Sequence, residues 1–254
     1  MDTEEAQRIL AKYDAELSHL RGAMDIAFGS NVSSNPLMPE DIVVFSLGVV
    51  TKELFEELLL LVSHGRGEAA LRVSRTLYEC VVFAAYVSKH PDSCGAFMNT
   101  LFASWANILR SIPERAKLLP EMHSDFSERF PKYAQGKQVP LDWNDDRTTF
   151  NMAADVGVSG EFHSLAFNFT SAYVHPSASF LLGRMTYSAD NRFVFGAKRD
   201  DSSWQIALRI AHDLIITSMR LRKRYSDSVD LRLNLEFCEK EFVQIWGYAP
   251  ESSR

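Results

Sequence analysis

The sequence lacks the features that announce most functions. Its 254 residues hold three cysteines, Cys80, Cys94 and Cys238. That odd count, with no C-x-x-C pair, excludes a disulfide framework and matches reduced, cytosolic cysteine usage. The start, Met1-Asp-Thr-Glu-Glu, is acidic and polar, so no secretory leader is expected. No apolar run is long enough for a membrane. The best stretch, Ile42 to Val62, is interrupted by Lys52, Glu53, Glu56 and Glu57, whereas a spanning helix needs about 20 nearly unbroken apolar residues. Internal repeats and low-complexity segments are missing as well.

Motifs for chemistry are equally scarce. The histidines are His19, His64, His90, His123, His163, His175 and His212. None forms H-x-x-x-H or H-E-x-x-H, and Glu161-x-His163 and His212-Asp213 do not share a helix face. No metal site and no cofactor are therefore expected. Gly65-Arg-Gly-Glu is not a phosphate-binding loop, and no nucleophile elbow occurs. Glu56-Glu57 and Asp145-Asp146 lack the apolar setting that raises a carboxyl pKa.

What is present is an ordinary globular composition, 46% hydrophobic and 24% charged, which argues against disorder. The net charge of −6 gives no general attraction to nucleic acid or anionic membrane. Arg220, Arg222, Lys223 and Arg224 read as a solvated helix end complementing the helix dipole. A cytoplasmic protein without nucleic-acid or membrane partners is expected.

Periodicity predicts helices nearly throughout. Leu10, Tyr13, Leu17, Leu20, Met24 and Ala27 mark one amphipathic helix over 2–28. Its narrow seam suits packing in its own chain or a partner's, and homodimerisation is expected. Further helices run from Pro39 to His64, from Glu68 to Lys89, and from an Asp92 or Ser93 cap to Ile112. Prolines 113, 120, 131 and 140 cut the next segment into short pieces. Helix returns at 147–156 and from a Ser159 cap to Val174. Two β-prone runs within 185–196 predict a small hairpin. Two helices close the chain, one from Asp200 or Asp201, the other from Asp227 or Ser228. The expectation is an all-α antiparallel bundle in one domain, 1–254. It comprises an N-terminal helix (1–30), a core (40–185), a C-terminal helix pair (200–247) and at most one hairpin.

Two helices carry polar stripes with the same spacing. Glu68, Arg72, Arg75 and Glu79 lie at 0, 4, 7, 11 on an otherwise apolar helix, within an arc of roughly 60°. Ser164, Asn168, Ser171 and His175 repeat that spacing. Unpaired buried charge is costly, so the charged line must face solvent or find partners. The second stripe offers hydroxyl, amide and imidazole groups. The predicted site is a polar seam of Arg72, Arg75, Glu79, Ser171 and His175. The competing readings are a plain solvent face and a buried network that fixes register without chemistry.

Arg75-x-x-x-Glu79, Trp143 before a short helix, and Ser171-x-x-x-His175-Pro176-Ser177 together resemble a family of uncharacterised bacterial helical proteins, a domain of unknown function. The similarity spans roughly residues 40–185. It implies a helical bundle, a bacterial source and a shared internal site, and no mechanism. The functional expectation is a helical ligand- or partner-binding regulatory protein, in a bacterial stress or defence setting. The alternative is a metal-independent ribonuclease-like enzyme. In it His175 would be general acid or base, and Arg72 or Arg75 would steady phosphate charge.

Overall fold

A computed structural model describes residues 3–29, 38–112, 120–138, 148–175, 185–187, 193–195, 203–224 and 228–251. Helix α3 (Pro39–Ser63) begins with proline at its first position, and the Asp41 carboxylate accepts from the Met38 N–H at 3.0 Å. It ends where Gly65 adopts φ 65°. That left-handed residue lets the Arg66 N–H reach back to the Leu61 carbonyl at 2.8 Å, closing the helix end. Helix α4 (Gly67–Lys89) then returns along α3. Two of the charges that interrupt the apolar run of α3, Lys52 and Glu56, pair with the preceding helix. Arg21 holds Glu56 through two bonds of 2.8 and 2.6 Å, and Lys52 meets Asp25. Among the described residues no helix is long and apolar enough to cross a membrane.

The fold is all-α, with one hairpin among the described residues. Strands β1 (Met185–Tyr187) and β2 (Phe193–Phe195) pair antiparallel, Thr186 opposite Val194, within the range the sequence predicts. The described residues form two compact units. In the larger, 1–89 with 149–254, helices α3, α4 and α11 (Ser203–Lys223) pack together and bury Phe55, Leu58, Leu71, Leu77, Tyr78 and Leu208. Helix α12 (Val229–Trp246) packs on α2 (Asp14–Phe28) and α11, burying Leu235 and Phe242. Two glycines mark close approaches. A Cβ at Gly48 would collide with the Phe28 ring, and one at Gly67 with Ser203 and the Trp204 backbone. The smaller unit, 90–148, has its own core of Ala103, Ala106, Leu109, Phe126 and Tyr133. These come from α5 (Cys94–Ser111), α6 (Pro120–Arg129) and α7 (Pro131–Ala134).

Three local expectations need correction. The first helix is not continuous: α1 (Thr3–Lys12) stops at Tyr13, whose N–H makes a short-turn bond to Leu10 O. The Tyr13 ring meets Trp246 of α12 at 6.4 Å, so tertiary packing overrides the unbroken heptad pattern. Ser93 does not cap α5. It closes a 3-10 turn, Pro91–Ser93, and its hydroxyl donates to His90 O at 2.7 Å. Nor is the basic end of α11 simply solvated. Arg222 is buried, donating to Ala27 O at 3.2 Å, and burial lowers its pKa. The caps at Ser159 and Ser228 form as the sequence predicts, accepting from Phe162 N and Leu231 N. Asp200, Asp201, Trp143, Pro176 and Ser177 lie outside the described residues.

Candidate functional site

After α8 (Thr149–Asp155), the segment from Ser159 runs through α9 (Gly160–His163), a π-helical stretch (Ser164–Phe169) and α10 (Thr170–Val174). A π turn holds more residues than an α turn and so shifts the phase of whatever follows. The evenly spaced stripe is split by that shift. Ser164 and Asn168 are exposed, while Ser171 is half-buried against α4. Ser171 and Thr170 anchor the stretch by donating their hydroxyls to Phe167 O and Ala166 O, at 2.5 and 2.7 Å.

Three of the five seam residues, Arg72, Arg75 and Ser171, make contacts between these elements, and Glu79 pairs with Arg75 within α4. Arg75 Nε donates to Ser171 Oγ at 3.0 Å, and its guanidinium carbon lies 3.2 Å from the Phe167 ring centroid. Its Nη1 is 2.7 Å from Glu79 Oε1. That approach is an ion pair without hydrogen-bond alignment, since Nη1 has no aligned acceptor among the described residues. The Arg75 side chain is 14% exposed and that of Glu79 32%, so the pair is neither a free surface bridge nor sealed in the core. Arg72 is exposed and donates Nε to Tyr173 O at 2.7 Å. It thereby satisfies one of the carbonyls left open at the end of α10. His175 is exposed where α10 ends. Its backbone N–H donates to Ser171 O at 3.2 Å, and none of the bonds between α4 and α10 runs through its imidazole.

A second pair, which the stripes do not include, joins α4 to α9 near Arg75. Tyr78 Oη and His163 Nδ1 are 2.8 Å apart, both residues buried. The His163 ring stacks on Phe167 at 4.9 Å and meets Phe150 and Tyr78 edge-on. Burial, with Arg75 nearby, lowers the His163 pKa and keeps the imidazole neutral; burial raises that of Tyr78 and keeps it a phenol. The sequence offered one signal: His163 and Phe167 stand four apart, on the face that flanks the expected stripe.

Beyond Tyr78 the larger unit contains a cavity of about 570 Å³. Its walls are Val81, Val82 and Ala85 of α4, Leu214 and Leu221 of α11, and Val156, Val158 and Phe162. Polar groups lie at its edge: Thr217, Lys89, Arg220, Arg224 and Glu251. Glu251 follows the αL turn at Gly247 and ties the chain back across the fold. Its N–H donates to both Asp213 oxygens at 3.1 and 3.2 Å, and its carboxylate accepts from Ser159 N at 2.8 Å. Burial pushes the Asp213 carboxyl up to about 6. It also pushes the thiols of Cys80 and Cys238 up to about 11 and about 12, so neither supplies a thiolate near neutrality.

The seam and the cavity wall thus share one helix, α4, and most of this geometry falls within one stretch of sequence. No curated protein and no solved structure matches the chain. Residues 41–194, which include α4, the π-helical stretch and α10, match the sequence model of a family of unknown function, DUF5677, and the chain belongs to that family.

Proposed function

We propose that the protein is a non-catalytic binding protein that holds a small ligand in the cavity between α4, α11 and Val156–Phe162. The observation that carries this reading is the cavity itself. About 570 Å³ lies within the ~300–1,000 Å³ usual for small-molecule sites, and apolar walls with a few polar groups at one edge are their usual make-up. Catalysis would need a nucleophile or general base in reach of a bound molecule. Here the tyrosine beside the cavity is held as a phenol, and its histidine partner is buried behind it. The ribonuclease-like alternative draws no support from the seam, because Arg72 and Arg75 are engaged by Tyr173, Ser171 and Glu79.

The seam then acts as a brace. It fixes α10 to α4 and so holds the Val156–Phe162 wall in place. A regulatory role fits this arrangement: occupancy would stabilise one side of the larger unit and be read at the surface by a partner.

The test is native mass spectrometry of protein purified from its own source under gentle conditions, beside Val158→Trp, which fills the cavity from a half-buried wall position. A small molecule retained by the parent and lost from Val158→Trp supports the reading. Equal retention by both proteins sinks it.

A further inference from the structure

We propose that the ligand of this cavity is an amphipathic anion, with an apolar body between α4 and α11 and a carboxylate or phosphate group bound by Arg224. The inference rests on the binding reading above and assigns the chemistry of the ligand.

The apolar half follows from the walls. Val81, Val82, Val156, Val158, Leu214 and Leu221 present no hydrogen-bonding side chain, so a polar body would lose its water without replacement. The anionic half follows from charge accounting at the edge. Three cations stand there, Lys89, Arg220 and Arg224. Lys89 is taken up by Asp155, contacting its carbonyl and lying 3.4 Å from its carboxylate. Arg220 is held by Glu239 at 2.6 Å. Arg224 differs: its side-chain bond among the described residues goes to a neutral acceptor, Ser88 Oγ, at the long distance of 3.4 Å. A long bond to a hydroxyl is readily exchanged for a charge-assisted one, and a guanidinium offers a planar fork that fits carboxylate and phosphate.

Two charges act against an anion, and both are accounted for. Glu251 lies on the cavity wall, but its Oε1 accepts from the Ser159 N–H, which spreads part of its charge into the start of α9. The end of α11 carries the negative pole of its dipole, and Arg220 and Arg222 stand on that last turn beside Arg224. The opposite sign of ligand has a weaker case, since an ammonium group would have to sit beside Arg224, whose charge no carboxylate among the described residues meets.

Four probes with one chain length separate the terms: octanoate, octyl phosphate, octanol and octylamine, titrated calorimetrically into the parent, Arg224→Gln and Val158→Trp. Arg224 is exposed, so its replacement leaves the core intact. The expected result is that at least one anion binds the parent about 10-fold tighter than octanol, the weight of one charged hydrogen bond. Arg224→Gln should bring that anion to the level of octanol, and octylamine should bind weakest. Which anion wins distinguishes a carboxylate from a phosphate ligand. If octanol binds the parent as tightly as both anions, or Arg224→Gln changes nothing, the anion inference falls. The cavity reading still stands in that case if Val158→Trp removes binding. No binding of any probe to the parent, or full binding to Val158→Trp, overturns both.

Discussion

Tyr78 and His163 form a buried hydrogen bond of 2.8 Å that joins α4 to the start of the π-helical segment, with the seam on one side and the cavity on the other. Each removes a polar atom of the other from an apolar setting of Phe150, Phe162 and Phe167. Losing one partner should therefore cost more than losing both. Tyr78→Phe leaves a buried imidazole nitrogen unpaired and is expected to destabilise the protein by about 1–3 kcal/mol. A double-mutant cycle with His163→Phe, followed by urea unfolding, should show a coupling of about 1 kcal/mol or more. Strict additivity would mean that the bond contributes nothing to stability.

The Arg75–Glu79 pair is expected to fall between the surface and buried limits. An exposed pair contributes at most about 1 kcal/mol, and breaking a buried one costs about 3–5 kcal/mol. Arg75 also holds Ser171 and stacks on Phe167, and Glu79 retains access to water. Arg75→Ala should cost roughly 2 kcal/mol. Arg75→Lys should recover little of it, because an ammonium cannot keep the ion pair, the serine bond and the ring contact in one plane. Full recovery by lysine would mean that charge alone matters there.

Most of the helices and the hairpin were legible because they follow from local pattern: caps and periodicity. The contact of Arg75 with Ser171 is tertiary, and equal spacing on two helices suggests it without determining it. The rest of the second stripe was not legible. Ser164 shares spacing with Ser171, but the π turn between them moves it to a different face, and His175 falls where α10 ends and the backbone turns extended. No propensity in Ser-Leu-Ala-Phe-Asn-Phe marks that turn. The cavity was hidden for a related reason. Its walls come from α4, from residues 156–162 and from α11, and only the tertiary fold brings the three together. Arg222 shows the same limit: within a run of basic residues, sequence could not separate the one that turns inward to Ala27 from the one left at the cavity edge.

Gly48 reports on how closely α2 approaches α3. Its φ is ordinary, so conformational freedom is not why it is glycine; the Phe28 ring occupies the space a methyl would need. Gly48→Ala should destabilise by about 1–3 kcal/mol through overpacking. Gly48→Ala combined with Phe28→Leu should recover part of that loss in thermal unfolding. If the single substitution is neutral, the two helices are less tightly seated than this contact implies.

The last prediction concerns two neighbours on α11 whose burial acts in opposite directions. His212 is buried, accepts from Trp246 Nε1 at 3.3 Å, and has its pKa lowered to about 3. Protonation would place a charge in the core and remove the acceptor. Its stabilising share is therefore complete above the unfolded value of about 6.5 and is lost as pH falls toward 3. Asp213 has its carboxyl raised to about 6 by burial, against an ordinary 3.8. Its share is complete below the ordinary value and is lost as pH rises through 6, because ionisation then charges a buried group. By linkage these shifts correspond to limits on the order of 5 and 3 kcal/mol. Between pH 4 and 6 the two trends partly cancel, and the parent should show a shallower dependence than either group alone would give. Relative to the parent, Asp213→Asn should steepen the loss of stability on acidification below pH 6.5. His212→Phe should do the reverse, tilting the curve toward greater stability at pH 4 than at pH 6. Asparagine can still accept from the Glu251 N–H, so the first variant isolates ionisation from the loss of that bond. Urea unfolding in half-unit pH steps measures all three curves. If they run parallel, neither group titrates in the buried state that its surroundings on α11 impose.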